Sequence, residues 1–405
     1  MILAGDFIPQ RLRPICRDLP EDEIVLANLE GPICADNLVK LVKVGVHLHS
    51  SRFELQGKWA FSLANNHLMD FGEEGLRQTL GFLKQKTFSY GGAGTDLKEA
   101  RQPMMLAEAG KRIAVFSCCE RQFGLATDSS AGVAEMGAWL FDAIRSVKSS
   151  GSVDYVVVSC HAASEFSPFV SPRLRAFYHR LVDAGADIIH GHHSHVPQGW
   201  ERYGDGVIFY GLGNFVVDAR QWNGPNSRWS NVARVDLENG VNVDFVRPYR
   251  VFQEDGNAIC ASVPGLESAE LKDYMEAANQ QFESDAFCES VWQEASVRLY
   301  HRIYEQSLRA GSVESVKLTG RDRLRKLYFA AGDVFRALIG RERPNGRSRF
   351  YARVLYNYFN CESHVDMIRT ALGVLTGSCT DVRVDRARRL VDELLQHNET
   401  ISLSV

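Results

Sequence analysis

Four histidines follow one apolar run within six residues, and this cluster constrains the chain more than any other feature. The segment Gly185-Ala-Asp-Ile-Ile-His-Gly-His-His-Ser-His-Val-Pro197 carries a short apolar run that breaks at Gly191. A short apolar run that ends at a turn residue is typical of a buried strand. The four imidazoles are therefore expected at the exit of a strand: His190, His192, His193 and His195.

These imidazoles are candidate metal ligands, because neutral imidazole is the commonest metal ligand at physiological pH. In an extended segment alternate residues face the same side, so His193 and His195 can converge on one centre, and so can His190 and His192. The alternative is a polar loop whose histidines pair with the backbone and with water. Four histidines together at one strand end favour the metal site.

The composition is that of an ordinary globular protein. Of its 405 residues, 45% are hydrophobic and 24% are charged, and a chain of this length is expected to form two domains. The formal net charge of −4 excludes a globally basic nucleic-acid-binding protein. No nucleic-acid partner is therefore expected.

The sequence shows no membrane segment and no leader. No stretch approaches the roughly 20 apolar residues of a membrane-spanning helix, and the start, Met1-Ile-Leu-Ala-Gly-Asp6, carries no basic leader. The nine cysteines include no Cys-x-x-Cys spacing, which is typical of reduced thiols in a cytoplasmic protein. A cytoplasmic protein without a transmembrane anchor is the prediction.

Polar side chains recur wherever a predicted strand ends. The set comprises Asp6, Glu30, Asn66, His67, His161, His193 and His195. Mixed oxygen and nitrogen ligands favour a divalent transition metal such as Mn, Fe or Zn over a closed structural zinc site. So many candidates favour two ions, which can clamp both oxygens of an in-line displacement. Glu30 is the expected bridge, because a carboxylate has two oxygens to share, and His67 is placed to protonate the leaving oxygen.

The character of the chain changes near Val263-Pro264. Strand-like runs stop there, and long stretches with helical spacing follow. We therefore predict one domain over residues 1–262 and a helical C-terminal domain over residues 263–405. Predicted helices in the second domain include 266–282, 291–308, 321–339, 350–359 and 386–395.

One part of the predicted helical domain is basic. Between Arg321 and Arg353 ten arginines and lysines alternate with aromatic residues. A solvated helix face with a loop is one interpretation, since charge runs usually lie at the surface. The alternative is a site for an anionic ligand, a membrane surface or an acidic partner.

The ordered motifs resemble those of one known family. They are Gly5-Asp6, Asn28-Leu-Glu30, Ala64-Asn-Asn-His67 with Asp70 and Gly72, Gly92-Ala-Gly94, His161 with Glu165, Gly191-His-His-Ser-His-Val196 and Leu212-Gly-Asn-Phe215. In this order they are similar to the motifs of the CapA family, the poly-γ-glutamate capsule synthesis proteins of the calcineurin-like metallophosphoesterase superfamily. The resemblance covers residues 1 to about 250. It implies an α/β fold, namely a four-layer α/β/β/α metallophosphoesterase-like sandwich, here followed by an all-helical C-terminal domain.

The resemblance also implies a role for each motif residue. The implied metal ligands are Asp6 and His195 for a first ion, Glu30 as the bridge, and Asn66, His161 and His193 for a second ion. The implied catalytic residues are His67 as general acid, Asp70 and Glu165. Two positions depart from the family pattern: Ala162-Ala163 stands where members commonly carry Trp-Gly, and the superfamily's opening Asp-x-His is here Asp6-Phe-Ile8.

Three functions are compatible with these residues. The first is a metal-dependent hydrolase of phosphoesters, with an anionic small molecule or polymer as substrate, linked to capsule or exopolymer biosynthesis. The second is a γ-glutamyl amide hydrolase, because a metal centre can promote attack on a carbonyl as well as on phosphorus. The third is a non-catalytic accessory subunit of capsule polymer assembly, with a partner in the capsule machinery that contacts the stretch between Arg321 and Arg353.

Overall fold

The computed structural model describes residues 1–41, 43, 46–218, 225–305, 308 and 346–400. The strands in this part of the chain are short, and most are buried. They are β1 Ile2–Ile8, β2 Arg13–Cys16, β3 Ile24–Leu29, β4 Lys58–Ser62, β5 Ser89–Gly91, β6 Ala93–Gly94, β7 Met104–Glu108, β8 Lys111–Cys119, β9 Gly132–Val133, β10 Tyr155–His161, β11 Ile188–His192, β12 Trp200–Tyr203, β13 Gly206–Phe209, β14 Asn214–Val217, β15 Trp229–Asp236, β16 Asn242–Glu254 and β17 Asn257–Ser262.

The helices lie between the strands and, beyond residue 264, follow one another. They are α1 Gly72–Gln85, α2 Leu97–Ala100, α3 Trp139–Ser149, α4 Pro172–Asp183, α5 Gly265–Gln280, α6 Asp285–Leu299, α7 Gly346–Asn360, α8 Glu362–Thr376 and α9 Asp385–Thr400. Among the described helices, none combines the length and the apolar character needed to cross a bilayer.

Two sheets carry the fold. The first has the strand order β2-β17-β16-β15-β1-β3-β4-β5, with β14 also paired to β1, and the second has the order β12-β13-β11-β10-β8-β7. In the first sheet β1, β3 and β4 run parallel, and in the second β8, β10, β11 and β13 run parallel. Parallel strands end at the same edge of a sheet, so residues at their carboxyl ends lie side by side.

The side chains of the strands alternate between two cores, because successive residues of a strand face opposite sides. Leu3 and Leu26 of the first sheet share an apolar core with Val157 and Ile188 of the second, so the two sheets pack face to face. On its other face the first sheet packs against α1, and the second sheet packs against α3 and α4. This arrangement confirms the predicted four-layer α/β/β/α sandwich.

The described residues form two compact units. The first comprises residues 1–41, 47–295 and the segment that begins at Asp381. Strand β17 ends at Ser262 and α5 begins at Gly265, but α5 belongs to the first unit, where the Gln281 side-chain oxygen accepts from the Val170 backbone N–H at 2.8 Å. The division at residue 262 therefore coincides with the change from strand to helix, and the first unit extends past it. The predicted domain boundary itself stays a prediction.

The second unit contains the π-helical turn Tyr300–Tyr304 and the helices α7 and α8. The helix predicted over 350–359 lies within α7. The helix predicted over 321–339 and most of the basic stretch between Arg321 and Arg353 lie outside the described residues, so the interpretations of that stretch stay predictions.

A glycine allows β11 to approach its neighbour at the histidine cluster. A Cβ atom on Gly191 would lie 2.0 Å from the Tyr210 carbonyl oxygen. Gly191→Ala would therefore force the two strands apart, and we expect a loss of about 3 kcal/mol in the free energy of unfolding, the upper range for overpacking. Denaturant unfolding of the purified variant measures this loss.

The matched control is Gly81→Ala, at a helical position where a Cβ would meet nothing within 4 Å. Alanine is a better helix former than glycine, so this variant should be slightly more stable than the parent protein. Equal stability of the two variants would contradict the steric explanation.

Candidate metal centre

The predicted ligands meet at the carboxyl ends of the parallel strands. Asp6 lies near the end of β1, Glu30 follows β3 directly, and His161 ends β10. Asp6 pairs in register with Asn28 of β3, and His161 pairs with His192 of β11. Ligands of open α/β sheets commonly bind in the crevice outside these strand ends.

Asn28 is a site residue that the sequence motifs contained but that we did not predict as a ligand or a partner. Its side-chain nitrogen donates to Asp6 Oδ1 at 2.8 Å and lies 3.2 Å from His161 Nδ1. Its side-chain oxygen accepts from Asn65 Nδ2 at 3.1 Å. The register of β1 with β3 places this amide between the two ligand candidates, and the sequence alone does not contain that register.

Glu30 lies at the middle of the cluster. Its Oε1 atom is 3.5 Å from His195 Nε2, 3.7 Å from His161 Nε2 and 3.9 Å from His67 Nε2. Within the described chain neither of its carboxylate oxygens has a hydrogen-bond partner, although the side chain is fully buried. Burial raises the pKa of Glu30 to about 8, even though the nearby His195 acts in the opposite direction.

The three residues predicted for the second ion lie around one side of Glu30. His161 Nε2 is 3.0 Å from Asn66 Oδ1, and the rings of His161 and His193 are 4.4 Å apart between centroids. All three side chains are buried. Glu30, His193 and His195 each offer a ligand atom, and these atoms lie within 4.8 Å of one another.

The backbone at the histidine cluster differs from the expectation. Strand β11 ends at His192, and both His193 and His195 have positive φ angles, 83° and 54°. Their convergence on Glu30 therefore comes from a left-handed turn and not from the alternation of an extended strand, so that premise was wrong. Residues in this rarely populated conformation are enriched at functional sites. His190 and His192 do lie on the strand, with ring centroids 4.1 Å apart.

Asn214 contacts one of the two ring nitrogens of His195. The Asn214 side-chain nitrogen donates to the Ser227 carbonyl oxygen at 2.9 Å, so its side-chain oxygen is left to accept from His195 Nδ1 at 3.1 Å. His195 Nε2, the other ring nitrogen, lies 3.5 Å from Glu30 Oε1. Burial lowers the pKa of His195, but the carboxylates of Glu30 and Asp6 outweigh burial and raise it to about 10.

His67 and Asp70 form a pair at the edge of the cluster. His67 Nδ1 is 2.8 Å from Asp70 Oδ2, which also accepts from the Leu48 backbone N–H at 2.8 Å. Asp70 is fully buried, and His67 is 12% exposed at its side chain. The carboxylate holds the imidazole proton on Nδ1 and orients the ring, so that Nε2 lies on the side of Glu30.

Glu165 lies on the open side of the cluster. Its side chain is 33% exposed, and Oε1 is 3.9 Å from His193 Nε2. The next residue, Phe166, is 49% exposed, has a φ of 56° and lies 5.4 Å from the His195 ring between centroids. Glu165 is thus brought to the cluster, but at its rim.

Glu120 and Gln122 also contact the site, although the sequence analysis did not identify them. Glu120 Oε1 is 3.5 Å from His193 Nε2 and accepts from Gln122 Nε2 at 2.8 Å. Gln122 Nε2 lies 2.6 Å from the same histidine nitrogen. The Nε2 edge of His193 is therefore held by these two side chains. Its Nδ1 atom has no hydrogen-bond partner in the described chain.

The residues present fit a metal centre of mixed nitrogen and oxygen ligands. Burying a carboxylate is costly unless it is paired or binds a cation, and in the described residues Asp6 Oδ2 and both oxygens of Glu30 lack hydrogen-bond partners. The groups that act on Glu30 electrostatically are imidazoles and carboxylates. A divalent transition metal is the cation that such a donor set binds best.

Glu120 is expected to support metal binding through His193. A carboxylate on the far nitrogen of a ligating histidine orients the ring, and its loss typically costs 10- to 100-fold in metal affinity. We expect Glu120→Gln to weaken metal binding at least about tenfold, measured by competition with a chelator of known affinity. Glu135→Gln is the control, because the Glu135 carboxylate forms an ion pair with Arg101. Wild-type affinity in Glu120→Gln would exclude this role.

The sequence model of the family described as "Bacterial capsule synthesis protein PGA_cap" matches residues 8–219. "Capsule biosynthesis protein CapA" of Bacillus anthracis is 32% identical over 225 residues, covering 53% of this chain and 54% of that protein. "PGA biosynthesis protein CapA" of Bacillus subtilis strain 168 is 32% identical over 223 residues, covering 53% and 58%.

Among solved structures, a putative 5'-nucleotidase from Staphylococcus aureus in complex with alpha-ketoglutarate aligns with 54% of this chain and 41% of its own. The identity is 13% and the TM-score 0.33. The chain spans about half the length of the curated relatives that it matches.

The sandwich and the buried cluster of carboxylates, amides and imidazoles at its strand ends define an α/β/β/α protein with a candidate metal centre. Within that class, the chain belongs to the bacterial capsule synthesis family PGA_cap, whose model matches more than half of it. The predicted resemblance to the CapA family is thereby confirmed.

Proposed function

We propose that this protein is a metal-dependent hydrolase that cleaves phosphoesters at a dinuclear centre and serves capsule or exopolymer biosynthesis. The observation that carries the proposal is Glu30, fully buried, with neither oxygen hydrogen-bonded in the described chain and with three imidazoles within 3.9 Å. A carboxylate in this position is suited to bind two cations at once.

The remaining ligands divide between the two ions. Asn66, His161 and His193 would hold one ion, and Asp6 and His195 would hold the other, each together with Glu30. Bound there, the ions would activate water and neutralise the charge that develops on a phosphoryl group.

The protein's own residues supply the proton that the leaving group needs. His67 would donate it from Nε2, the nitrogen that lies 3.9 Å from Glu30 Oε1, while Asp70 contacts the other nitrogen at 2.8 Å. Because His67 is the more exposed member of this pair, it can take a proton back from solvent after each turnover.

The names of the relatives favour a second candidate, hydrolysis of γ-glutamyl amides. The B. subtilis relative is named a PGA biosynthesis protein, and the same centre can promote attack on an amide carbonyl. The names also fit a third role, a non-catalytic subunit of polymer assembly, in which the cluster would bind metal without turnover.

A panel of substrates separates these functions. Protein purified without chelator is analysed for metal, with one to two equivalents of transition metal expected, and is then loaded with Mn. It is assayed on a phosphomonoester, a phosphodiester and poly-γ-glutamate, with Glu30→Gln as the inactive control. We expect phosphoester turnover that a chelator removes and Mn restores. Shortening of poly-γ-glutamate alone would establish the amide reaction, and metal near zero that neither Mn nor Zn restores would contradict the proposal.

A further inference from the structure

His192 lies beside the predicted metal centre, but none of the roles assigned so far uses it. It ends β11, is 1% exposed, and its Nδ1 atom is 3.5 Å from Asp6 Oδ1. Within the described chain this nitrogen has no hydrogen-bond partner. The position of the proton on the His192 ring decides whether Nδ1 can donate a hydrogen bond to Asp6 or instead has a lone pair there.

A backbone carbonyl determines which ring nitrogen of the neighbouring His190 carries a proton. His190 Nε2 lies 2.9 Å from the Ala4 carbonyl oxygen, which can only accept, so this nitrogen carries a proton. In the neutral ring the other nitrogen, Nδ1, is an acceptor.

The acceptor nitrogen of His190 in turn favours a proton on the nearer ring nitrogen of His192. His192 Nε2 lies 3.3 Å from His190 Nδ1 and 3.2 Å from Ser159 Oγ, and Ser159 Oγ lies 3.4 Å from His190 Nδ1. With its proton on Nε2, His192 can donate to this pair, and the acceptor on His190 is satisfied. In this arrangement the lone pair of the neutral His192 ring is on Nδ1.

That lone pair faces a second acceptor. Asp6 Oδ1 already accepts from Asn28 Nδ2 at 2.8 Å, and two acceptors face each other across 3.5 Å in a buried site. A charge-assisted N–H···O bond would be about 2.7–2.9 Å long, so a direct hydrogen bond does not explain the contact. Two donor atoms bound at about 2.1 Å to one tetrahedral ion lie about 3.4 Å apart.

We propose that His192 Nδ1 is a ligand of the first metal ion, which it shares with Asp6. The ligand set of this ion then contains two histidines, His192 from the strand and His195 from the turn that follows. The opening motif is Asp6-Phe-Ile8, and the buried apolar side chain of Ile8 supplies no ligand atom. In this assignment the second imidazole comes from β11.

This inference rests on the proposed function for the presence of the first ion, and it is tested by metal binding and not by turnover. Metal-free wild-type protein, His192→Ala and His190→Ala are each titrated with Mn, and bound metal is measured after dialysis. Continuous-wave EPR reports whether two Mn ions are magnetically coupled. Thermal unfolding of the metal-free proteins shows whether each variant is folded.

We expect two equivalents and a coupled spectrum for the wild-type protein. His192→Ala should bind one equivalent with the spectrum of an isolated ion, and added imidazole should restore the second equivalent by filling the vacated volume. In the wild-type protein the nitrogens of His190 face the Ala4 carbonyl oxygen and His192. His190→Ala should therefore still bind two equivalents at saturating Mn.

Two results would overturn the assignment. Two equivalents and a coupled spectrum in His192→Ala, at wild-type affinity, would show that His192 is not a ligand while leaving the proposed function intact. A wild-type protein that binds no Mn or Zn would instead remove the proposed function, and the assignment of His192 with it.

Discussion

Replacing His193 with alanine is expected to remove the second metal ion and to lower kcat/KM by about 10³-fold or more. Each ion contributes several kcal/mol of charge stabilisation in the transition state, and 1.36 kcal/mol corresponds to a tenfold change in rate. His193 is fully buried, and its Nδ1 atom has no hydrogen-bond partner in the described chain. The substitution is therefore expected to remove a metal ligand and not a surface contact. Metal analysis and steady-state kinetics measure the two losses.

The control for this variant is His190→Ala, which removes an equally buried imidazole from the same segment. Its ring contacts the Ala4 carbonyl oxygen and His192, so it should retain the ion held by Asn66 and His161. If both variants lost metal equally, the loss would reflect disruption of the strand, and the assignment of His193 would fail.

The second large effect is expected for His67→Ala. This variant should keep its metal, because His67 Nε2 is 3.9 Å from Glu30 and is not among the predicted ligands. It should lose roughly 10²–10⁴-fold in activity on an alkyl phosphate, which is the usual contribution of a general acid. On nitrophenyl phosphate the loss should be much smaller, since that leaving group departs without a proton.

The measurement compares the activity of His67→Ala on the two substrates. Asp70→Asn is assayed in the same way as a second variant. Asp70 contacts His67 at 2.8 Å without reaching the leaving group, so this variant should show the same substrate dependence to a smaller degree. Equal losses on both substrates would mean that His67 positions the substrate or the metal instead of donating a proton.

The ligand types could be predicted because the relevant signals are local. An apolar run that ends in a polar residue is visible in the chain, as at Asp6, Glu30 and His161, and parallel strands deliver such ends to one edge. The cluster in the structure contains all of these residues. Their individual roles as ligands and catalytic groups stay predictions until metal binding is measured.

The partners of the ligands could not be predicted, because they come from distant parts of the chain. Glu120 contacts His193 across 73 residues of sequence, and Asn28 reaches His161 across 133. Neither residue follows a pattern that separates it from other polar residues near a strand end. Helix α8, Glu362–Thr376, was missed for a different reason: the left-handed Gly377 that ends it was not used as a stop signal.

By itself, then, the sequence determined the alternation of buried strands and helices, and the kinds of donor atoms placed at the strand ends. Periodicity and strand termination are properties of neighbouring residues, so they can be read without a fold. Only the tertiary structure decided which ring nitrogen of each histidine faces an acceptor. That choice depends on acceptors such as the Ala4 carbonyl and the Asn214 amide, which the sheet register brings within hydrogen-bond distance from separate strands.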